Sequence, residues 1–321
     1  MGAVASYQGE DATAAIDTVG YTYDQSGRIT STSDVQDTGG TANTDTQCYA
    51  YDYLSRLTDV WSDTGATHTA ASPTVNGIGG CDDTTPSTAH LGGPAPYWQS
   101  YGYDLTGNRT SRTDHDPSGD TSKNVTTDEA YDTAGHAHGV HTVSTGTSTG
   151  TYAYDAAGNP TTMTTTSAGQ DQPSKAQSFT WNARGQLAGL TTGPANAPVH
   201  TSGYHYDADG GLLARTDDGT TTVYLGVDEI TFTAGTAASA ARYYKLGSAP
   251  TAVRVAKAGT SGTRLSYETA DPHGTATDDL TADTLTVTRR LFTPFGESRD
   301  AASAGPATTD SWAAPRTRPR A

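Results

Sequence analysis

The hydrophobic positions of this chain alternate with polar ones in a short phrase that returns along the sequence. In YTYDQSGRIT, Tyr21 and Tyr23 flank Thr22, and residues two apart on a β-strand point to the same face of a sheet. Asp24 and Gly27 then suit positions i and i+3 of a tight turn. The polar, β-branched run that follows predicts a returning strand, so one phrase predicts one hairpin.

Later segments repeat this phrase, among them YAYDYLSRLT, YGYDLTGNRT, YAYDAAGNPT, FTWNARGQLA and YHYDADGGLL. The residues that define the copies are Tyr21, Tyr23, Asp24, Gly27, Tyr49, Tyr51, Asp52, Tyr101, Tyr103, Asp104, Gly107, Tyr131, Asp132, Gly135, Tyr152, Tyr154, Asp155, Gly158, Phe179, Trp181, Asn182, Gly185, Tyr204, Tyr206, Asp207 and Gly210. Ser55 replaces the glycine of the second copy, which predicts a more strained turn there. Because no segment has a helical period of apolar residues, the sequence predicts an all-β chain.

The spacing of the copies predicts the domain organisation. The second aromatic recurs at intervals of 23 to 28 residues, except for the 52 residues between Tyr51 and Tyr103. That long interval predicts one lost copy, replaced by an insertion loop that carries a Pro/Gly-rich stretch. The predicted segments are an N-terminal fragment end at 1–18, repeats over 19–230 with the insertion loop at about 61–99, further strands over 231–300, and a disordered tail at 301–321.

Composition and charge narrow the classes of function. The net charge is −16, which disfavours a nucleic-acid partner because phosphate contacts require clustered Lys and Arg. The chain has no run of about 18 apolar residues, so we expect no transmembrane helix. The first residues lack the basic and apolar regions of a signal peptide. If the protein is exported, we expect its signal on a segment upstream of this sequence.

Three patterns resemble catalytic or metal sites, and each has a simpler structural interpretation. HAHGVH places His136 and His138 on one strand face and His141 on the other, without the three or four ligands that zinc requires. GTSTG, residues 146–150, matches a nucleophile motif but lies in a Ser/Thr/Gly linker rather than a strand-to-helix elbow. Asp207 and Asp209 come closest to a calcium loop, whereas the turn explains every copy.

Two further patterns that resemble functional sites also have simpler interpretations. Asn108 and Asn124 match the glycosylation pattern N-x-Ser/Thr, and we interpret both as chance matches. The many carboxylates recur at turn positions, whereas the carboxylate pair of a glycoside hydrolase is unique and flanks one cleft. We therefore predict no catalytic residue, no bound metal and no cofactor, and a protein that is not an enzyme.

The phrase Y-x-Y-D-x-x-G at this spacing resembles the YD repeats of the Rhs and wall-associated protein families, which the animal teneurins share. The resemblance covers residues 19–299. The stretches VYLGVDEITF with ARYYKLGSAPTAVRV, and DPHGTATDDLTADTLTVTRRLFTPFGE, are similar to later segments of that family in the same order. The resemblance implies consecutive hairpins in a spiralling, curved sheet that closes into a hollow shell. In bacterial members the shell encloses a variable C-terminal toxin.

The sequence departs from this family at its end. The family's core closes with a D-P-x-G-L aspartyl self-cleavage motif just before the toxin. Here Asp116 begins D-P-S-G before Asp120, and Asp271 begins D-P-H-G before Thr275, so neither stretch is a cleavage site. We hypothesise a frameshift after roughly Gly305, because WAAPRTRPRA, back-translated with GC-rich codons and shifted by one base, resembles the family's continuation. Gene sequencing tests this, since codons that do not allow the shifted reading contradict it.

The resemblance predicts a function and a compartment. We expect a structural, encapsulating segment of a secreted Rhs-type toxin without its toxin domain, which would be the cargo. The alternatives are a carbohydrate-binding module of a cell-wall-associated protein, whose tyrosine rows would stack on sugars, and a non-functional truncated relic. Cys48 and Cys81 allow one intramolecular disulfide, with free thiols in a reducing compartment as the alternative. We favour the disulfide because the resemblance points to secretion.

Overall fold

The computed structural model describes residues 2–7, 17–37, 42–66, 80–132, 135–169, 175–194, 197, 199–246, 249–271 and 276–299. These residues form 22 β-strands and one turn of 3-10 helix, Thr121–Lys123. The prediction of an all-β chain of consecutive hairpins is therefore confirmed. The chain divides into two compact units, Met1–Thr147 and Ser148–Ala321, called unit 1 and unit 2 below.

Unit 1 is an antiparallel meander, because each of its strands pairs with the next strand along the chain. The strands are β1 (Gly2–Tyr7), β2 (Asp17–Tyr23), β3 (Ile29–Asp37), β4 (Ala42–Tyr51), β5 (Leu57–Asp63), β6 (Trp98–Tyr103), β7 (Arg109–Asp114), β8 (Val125–Asp132) and β9 (His136–Thr145). Strands β2, β4 and β6 each end at the second aromatic residue of a repeat, and β8 ends one residue later, at Asp132.

Unit 2 is a second antiparallel meander with the same rule of pairing. Its strands are β10 (Ser148–Tyr154), β11 (Pro160–Ser167), β12 (Lys175–Trp181), β13 (Leu187–Gly193), β14 (His200–Tyr206), β15 (Leu212–Asp217), β16 (Thr220–Leu225), β17 (Asp228–Thr233), β18 (Thr236–Leu246), β19 (Ala249–Lys257), β20 (Arg264–Ala270), β21 (Ala276–Thr281) and β22 (Val287–Arg289).

A β-bulge follows the turn of most repeats. In the first repeat Tyr23 pairs with Ile29 while Thr22 pairs with Ser31, so Thr30 is an extra residue on the returning strand. The same register shift occurs immediately before Tyr51, Tyr103, Tyr154, Trp181 and Tyr206. Because a bulge increases twist and re-aims side chains, the turn and the bulge together form the recurring unit.

The buried faces of the sheets combine small hydrophobic clusters with paired hydroxyl groups. In unit 1, Cys48, Trp61 and Cys81 form a buried cluster, and in unit 2 the equivalent cluster contains Tyr243 and Val253. Buried Ser and Thr side chains pair across strands, as in Thr22 Oγ1 to Ser31 Oγ at 2.6 Å and Ser33 Oγ to Thr46 Oγ1 at 3.0 Å. Hydrogen-bonded hydroxyls can be buried at low cost, so this chain folds with only 33% hydrophobic residues.

Strands lie across two of the predicted boundaries. The predicted end of the repeats at 230 falls inside β17, and the pairing of strands continues through it. The strands on either side of the insertion, β5 and β6, pair directly with each other. Trp61 and Gln99 are therefore strand residues, and the insertion runs from 64 to 97. The tail at 301–321 lies outside the described residues.

Candidate functional site

Asp24 holds the first turn with its backbone and its carboxylate. Gly27 N donates to Asp24 O at 3.1 Å, and Asp24 Oδ1 accepts from the backbone N–H groups of Ser26 at 2.8 Å and Arg28 at 3.0 Å. Gly27 has φ +82° and Ser55 has φ +65°, a region that favours glycine. The two side-chain oxygen bonds recur at Asp52, Asp104, Asp155, Asn182 and Asp207.

The residue four positions after the turn acid connects one turn to the next. Arg28 Nε donates to Asp24 Oδ2 at 2.6 Å, and Arg28 Nη1 donates to the carbonyl of Asp52, the turn acid of the next copy, at 3.2 Å. The Arg28 guanidinium also lies 5.1 Å from the centre of the Tyr51 ring, a cation–π distance. Arg56, Asn108 and Gln186 bridge copies in the same way through the carbonyls of Asp104, Ala137 and Gly210.

The second aromatic of a copy donates a hydrogen bond to the backbone of the copy before it, here called the inter-repeat bond. Tyr51 Oη donates to Ile29 O at 2.9 Å, and Trp181 Nε1 donates to Pro160 O at 2.8 Å. Tyr103, Tyr131 and Tyr206 donate to the carbonyls of Leu57, Arg109 and Leu187. Each acceptor is the first residue of a returning strand. The second aromatic therefore needs an N–H or O–H donor, whereas Phe179 occupies the first position.

We expect Tyr206→Phe to lower the free energy of unfolding of unit 2 by about 1 kcal/mol, because Leu187 O loses its donor while the ring remains. The matched control is Tyr204→Phe, since the Tyr204 hydroxyl has no hydrogen bond within the described residues. That control is expected to change stability by less than about 0.5 kcal/mol. Urea unfolding followed by circular dichroism measures both, and equal losses would contradict the inter-repeat bond.

Asp104 and Tyr131 have pKa values far from neutral pH. Hydrogen bonds from the side chains of Thr106 and Asn108 lower the pKa of Asp104 to about 2. Burial and the hydrogen bond to Glu129 raise the pKa of Tyr131 to about 12. A general acid or base works best with a pKa near the working pH, so these groups are suited to structure rather than to proton transfer.

Solved structures provide the comparison with known proteins. The chain is similar to the Photorhabdus luminescens Tc holotoxin pore solved with a mutated TccC3, at 14% identity and a TM-score of 0.52. The similarity covers 88% of this chain and 15% of that chain. A crystal structure of TcdB2-TccC3 matches at 15% identity and a TM-score of 0.32, over 90% of this chain and 19% of the other. No family model and no curated protein matches the sequence.

The chain has the Rhs/YD-repeat fold. An identity of 14% shows the fold alone, and the recurring Y-x-Y-D-x-x-G turns show where its repeats lie. The chain spans about 15% of the length of the Tc holotoxin chain that it matches.

In unit 1, the insertion between β5 and β6 is bonded to the YD-repeat sheet. Cys48 of β4 and Cys81 of the insertion form a disulfide, with their Cα atoms 6.1 Å apart. Ser62 N of β5 donates to Tyr97 O at 2.9 Å, and Tyr97 Oη donates to Gln47 Oε1 of β4 at 2.7 Å. These bonds hold both ends of the described part of the insertion against β4 and β5.

A buried carboxylate lies where the insertion leaves β5. Asp63 Oδ1 accepts from Gly65 N at 2.8 Å and Asp82 N at 3.1 Å, and Asp63 Oδ2 accepts from Trp61 Nε1 at 3.2 Å. Burial raises the pKa of Asp63. Because both oxygens are engaged by the chain itself, the group organises the loop. Across the part of the chain that the structure describes, no three ligand side chains are grouped to bind a metal.

Ser100 and His115 lie in a serine–histidine contact that sequence reasoning did not find. Ser100 Oγ lies 2.8 Å from His115 Nε2 and donates to Asp59 Oδ1 at 2.7 Å. Asn124 Oδ1 accepts from Asp116 N, which directs its amide nitrogen to His115 Nδ1 at 3.1 Å. Nδ1 is therefore the acceptor and Nε2 carries the proton. The imidazole donates to Ser100 rather than accepting its proton, so the arrangement is a satisfied hydrogen-bond chain and not a nucleophile with its base.

The partly buried His115 should make the stability of unit 1 depend on pH. Burial lowers the pKa of His115, so the unfolded chain binds a proton at pH values where the folded chain does not. Stability is expected to fall as the pH decreases from about 6.5 towards the folded pKa. Urea unfolding at about pH 7 and about pH 5 should show a smaller loss for His115→Gln than for the wild type. The exposed His205 provides a control in His205→Gln, and parallel pH profiles for all three proteins would contradict the prediction.

The other candidate residues have structural contacts. His138 Nδ1 lies 2.6 Å from Asn108 Oδ1, and Asn108 Nδ2 donates to Asp104 Oδ2 at 2.9 Å, so this asparagine is used by its turn. Asp207 Oδ1 accepts from the backbone of Asp209 at 3.0 Å. Within the described ranges, no helix is long and apolar enough to cross a membrane.

The side chains that connect the repeats were missed by sequence reasoning, although the sequence carries a signal for them. The fourth residue after the turn residue is Arg28, Arg56, Asn108, Asn159 and Gln186 in five copies, and His136 and Gly211 in the other two. The side chains of those five residues donate hydrogen bonds. The restriction of the second aromatic to Tyr and Trp is the other signal. The Cys48–Cys81 bond was considered from composition alone, because the register that brings the two residues together cannot be read from their spacing.

Proposed function

We propose that this chain is a structural wall segment of a secreted Rhs-type toxin shell, and that the wall encloses or presents a cargo domain rather than catalysing a reaction. The observation that carries the proposal is the ladder of inter-repeat bonds in a YD-repeat sheet. Five of the copies donate to the backbone of the copy before them, through Tyr51, Tyr103, Tyr131, Trp181 and Tyr206. Such an array grows by adding units and suits a continuous wall.

Two further features support this role. The pKa values of Asp104 and Tyr131, two side chains of the repeats, lie far from neutral pH. Such values do not suit acid–base catalysis. The buried Cys48–Cys81 disulfide suits an oxidising compartment outside the cytoplasm. The matched structure is a Tc holotoxin pore, and a toxin cargo for this chain is our proposal.

The experiment starts from the gene. We expect DNA flanking the coding region to encode further Y-x-Y-D-x-x-G repeats upstream and a toxin-like domain downstream, in frame or one base out of frame. The whole reading frame, with the frame restored where needed, is then expressed and treated with thermolysin. The cargo should be digested at least about tenfold more slowly than the same domain expressed alone, because proteolysis tracks access to the open state.

Two results would overturn the wall proposal. Flanking DNA without repeats would show that the chain is not part of a larger array. Equal digestion of enclosed and free cargo would show that the array does not enclose it. Saturable binding of the folded chain on a glycan array, together with either result, would favour the carbohydrate-binding alternative instead.

A further inference from the structure

A shallow depression lies in the sheet of unit 2, on the face opposite its buried cluster. It has a volume of about 380 Å³ and is lined by parts of β16 to β19. Its floor is made of small side chains, Ala240 and Ala256, which are a cross-strand pair. Ile230 pairs with Ala240, and the exposed Leu225 also lines the depression. The floor therefore offers apolar surface beside the row of charged residues described next.

Two arginines face each other across the strands at this depression. Arg242 pairs with Arg254 in the register of β18 and β19, and Asp228 pairs with Arg242 on the other side. Asp228 is fully used by Arg242, since Nε donates to Oδ1 at 2.7 Å and Nη2 donates to Oδ2 at 2.8 Å. The two neighbouring guanidinium groups therefore have one carboxylate between them, and both of its oxygens are bound by Arg242.

Arg254 has an exposed side chain and neither an ion pair nor a hydrogen bond within the described residues. Like charges placed directly opposite on neighbouring strands destabilise a sheet. The chain carries 35 acidic residues against 19 basic ones, yet none of the acidic residues in the described ranges pairs with Arg254. An anionic group from outside the chain would offset it.

The lining residues define the chemistry of such a ligand. A free guanidinium matches a carboxylate, which it binds through two parallel N–H···O bonds. Tyr244, which is 42% exposed, adds a hydroxyl to the same depression. The net charge of −16 opposes the approach of ligands with many negative charges. One carboxylate beside small apolar groups fits these features better than a polyphosphate or a nucleic acid.

We propose that the depression around Arg254 binds an acidic peptide, with a side-chain carboxylate on Arg254 and the neighbouring apolar side chains on the alanine floor. The open shape favours an extended segment over an enclosed small molecule. The proposal goes beyond the wall function, because the site lies on the face opposite the buried Tyr243 and Val253 and does not need a closed shell.

The test uses the full chain and a fluorescein-labelled peptide, acetyl-Ala-Leu-Glu-Ala-Leu-amide, with fluorescence anisotropy. Arg254→Gln should weaken binding at least about tenfold, which corresponds to about 1.4 kcal/mol, because the variant cannot form the charged, bidentate pair. The same peptide with Gln in place of Glu should bind the wild type equally weakly. The matched control is Arg264→Gln, an exposed arginine of the same unit that already pairs with Asp279, and it should leave binding unchanged.

A second readout separates loss of the site from loss of the fold. Because Arg254→Gln removes a like-charge contact, the melting temperature of the variant should equal or exceed that of the wild type. Wild-type affinity that Arg254→Gln does not change would overturn the proposal. So would equal binding of the Glu and Gln peptides, or no anisotropy change up to about 5 mM wild-type protein, the range of the weakest specific affinities.

Discussion

Replacing Trp61 by alanine is expected to lower the free energy of unfolding of unit 1 by about 3–5 kcal/mol. Trp61 is 2% exposed and lies in the cluster with Cys48 and Cys81. Its removal leaves a cavity between strands that have few other large buried side chains, and it removes the donor to Asp63 Oδ2. Urea unfolding of the full chain, followed by near-ultraviolet circular dichroism, measures the loss.

Two variants give this result its meaning. Trp61→Phe keeps most of the ring volume but leaves the buried Asp63 carboxylate without that donor, so an intermediate loss of about 1–3 kcal/mol is expected. Tyr53→Ala removes an aromatic that is 88% exposed in the same unit, and its effect should stay within about 0.5 kcal/mol. A loss below about 1 kcal/mol for Trp61→Ala would show that the cluster is not the core of unit 1.

Removal of the Cys48–Cys81 disulfide is expected to destabilise unit 1 by about 3–4 kcal/mol, because the bond closes a loop with a sequence separation of 33 residues. The double variant Cys48→Ala/Cys81→Ala tests this by urea unfolding. The same measurement on the wild type after reduction under unfolding conditions separates the loss of the bond from the loss of side-chain volume.

Both arms of this experiment should agree within about 1 kcal/mol. Peptide mapping of the purified chain should also yield one cross-linked pair that contains both cysteines. Unchanged unfolding midpoints after reduction, or two alkylatable thiols in the native purified protein, would contradict the bond and with it the argument for an oxidising compartment.

The hairpins could be read from the sequence because their determinants are local. Asp24 and Gly27 are three residues apart, so the chemistry of one turn appears in one short phrase. The period of two between Tyr21 and Tyr23 likewise gives the face of a strand. The same turn and strand pattern recurs in the other copies, and this repetition makes the prediction of each hairpin stronger than one copy alone would.

The connections between copies could not be read in the same way, because they depend on register. The contact of Arg28 with the carbonyl of Asp52 requires knowledge of which turn lies beside which. The pairing of β5 with β6 joins strands on either side of the insertion, so neither strand's sequence shows it. The Ser100–His115 chain joins residues from β6, the segment after β7 and the segment after the 3-10 turn, and no spacing rule predicts it.

The inter-repeat bond has a consequence for how such sequences can change. Its donor is a Tyr or Trp side chain, but its acceptor is a main-chain carbonyl, as at Ile29, Pro160 and Leu187. Every amino acid supplies that acceptor, so a copy accepts its neighbour whatever side chain it carries at that position. Unequal recombination could then insert, delete or exchange whole copies without mismatched partners, and each new junction would form the same bond as the old one.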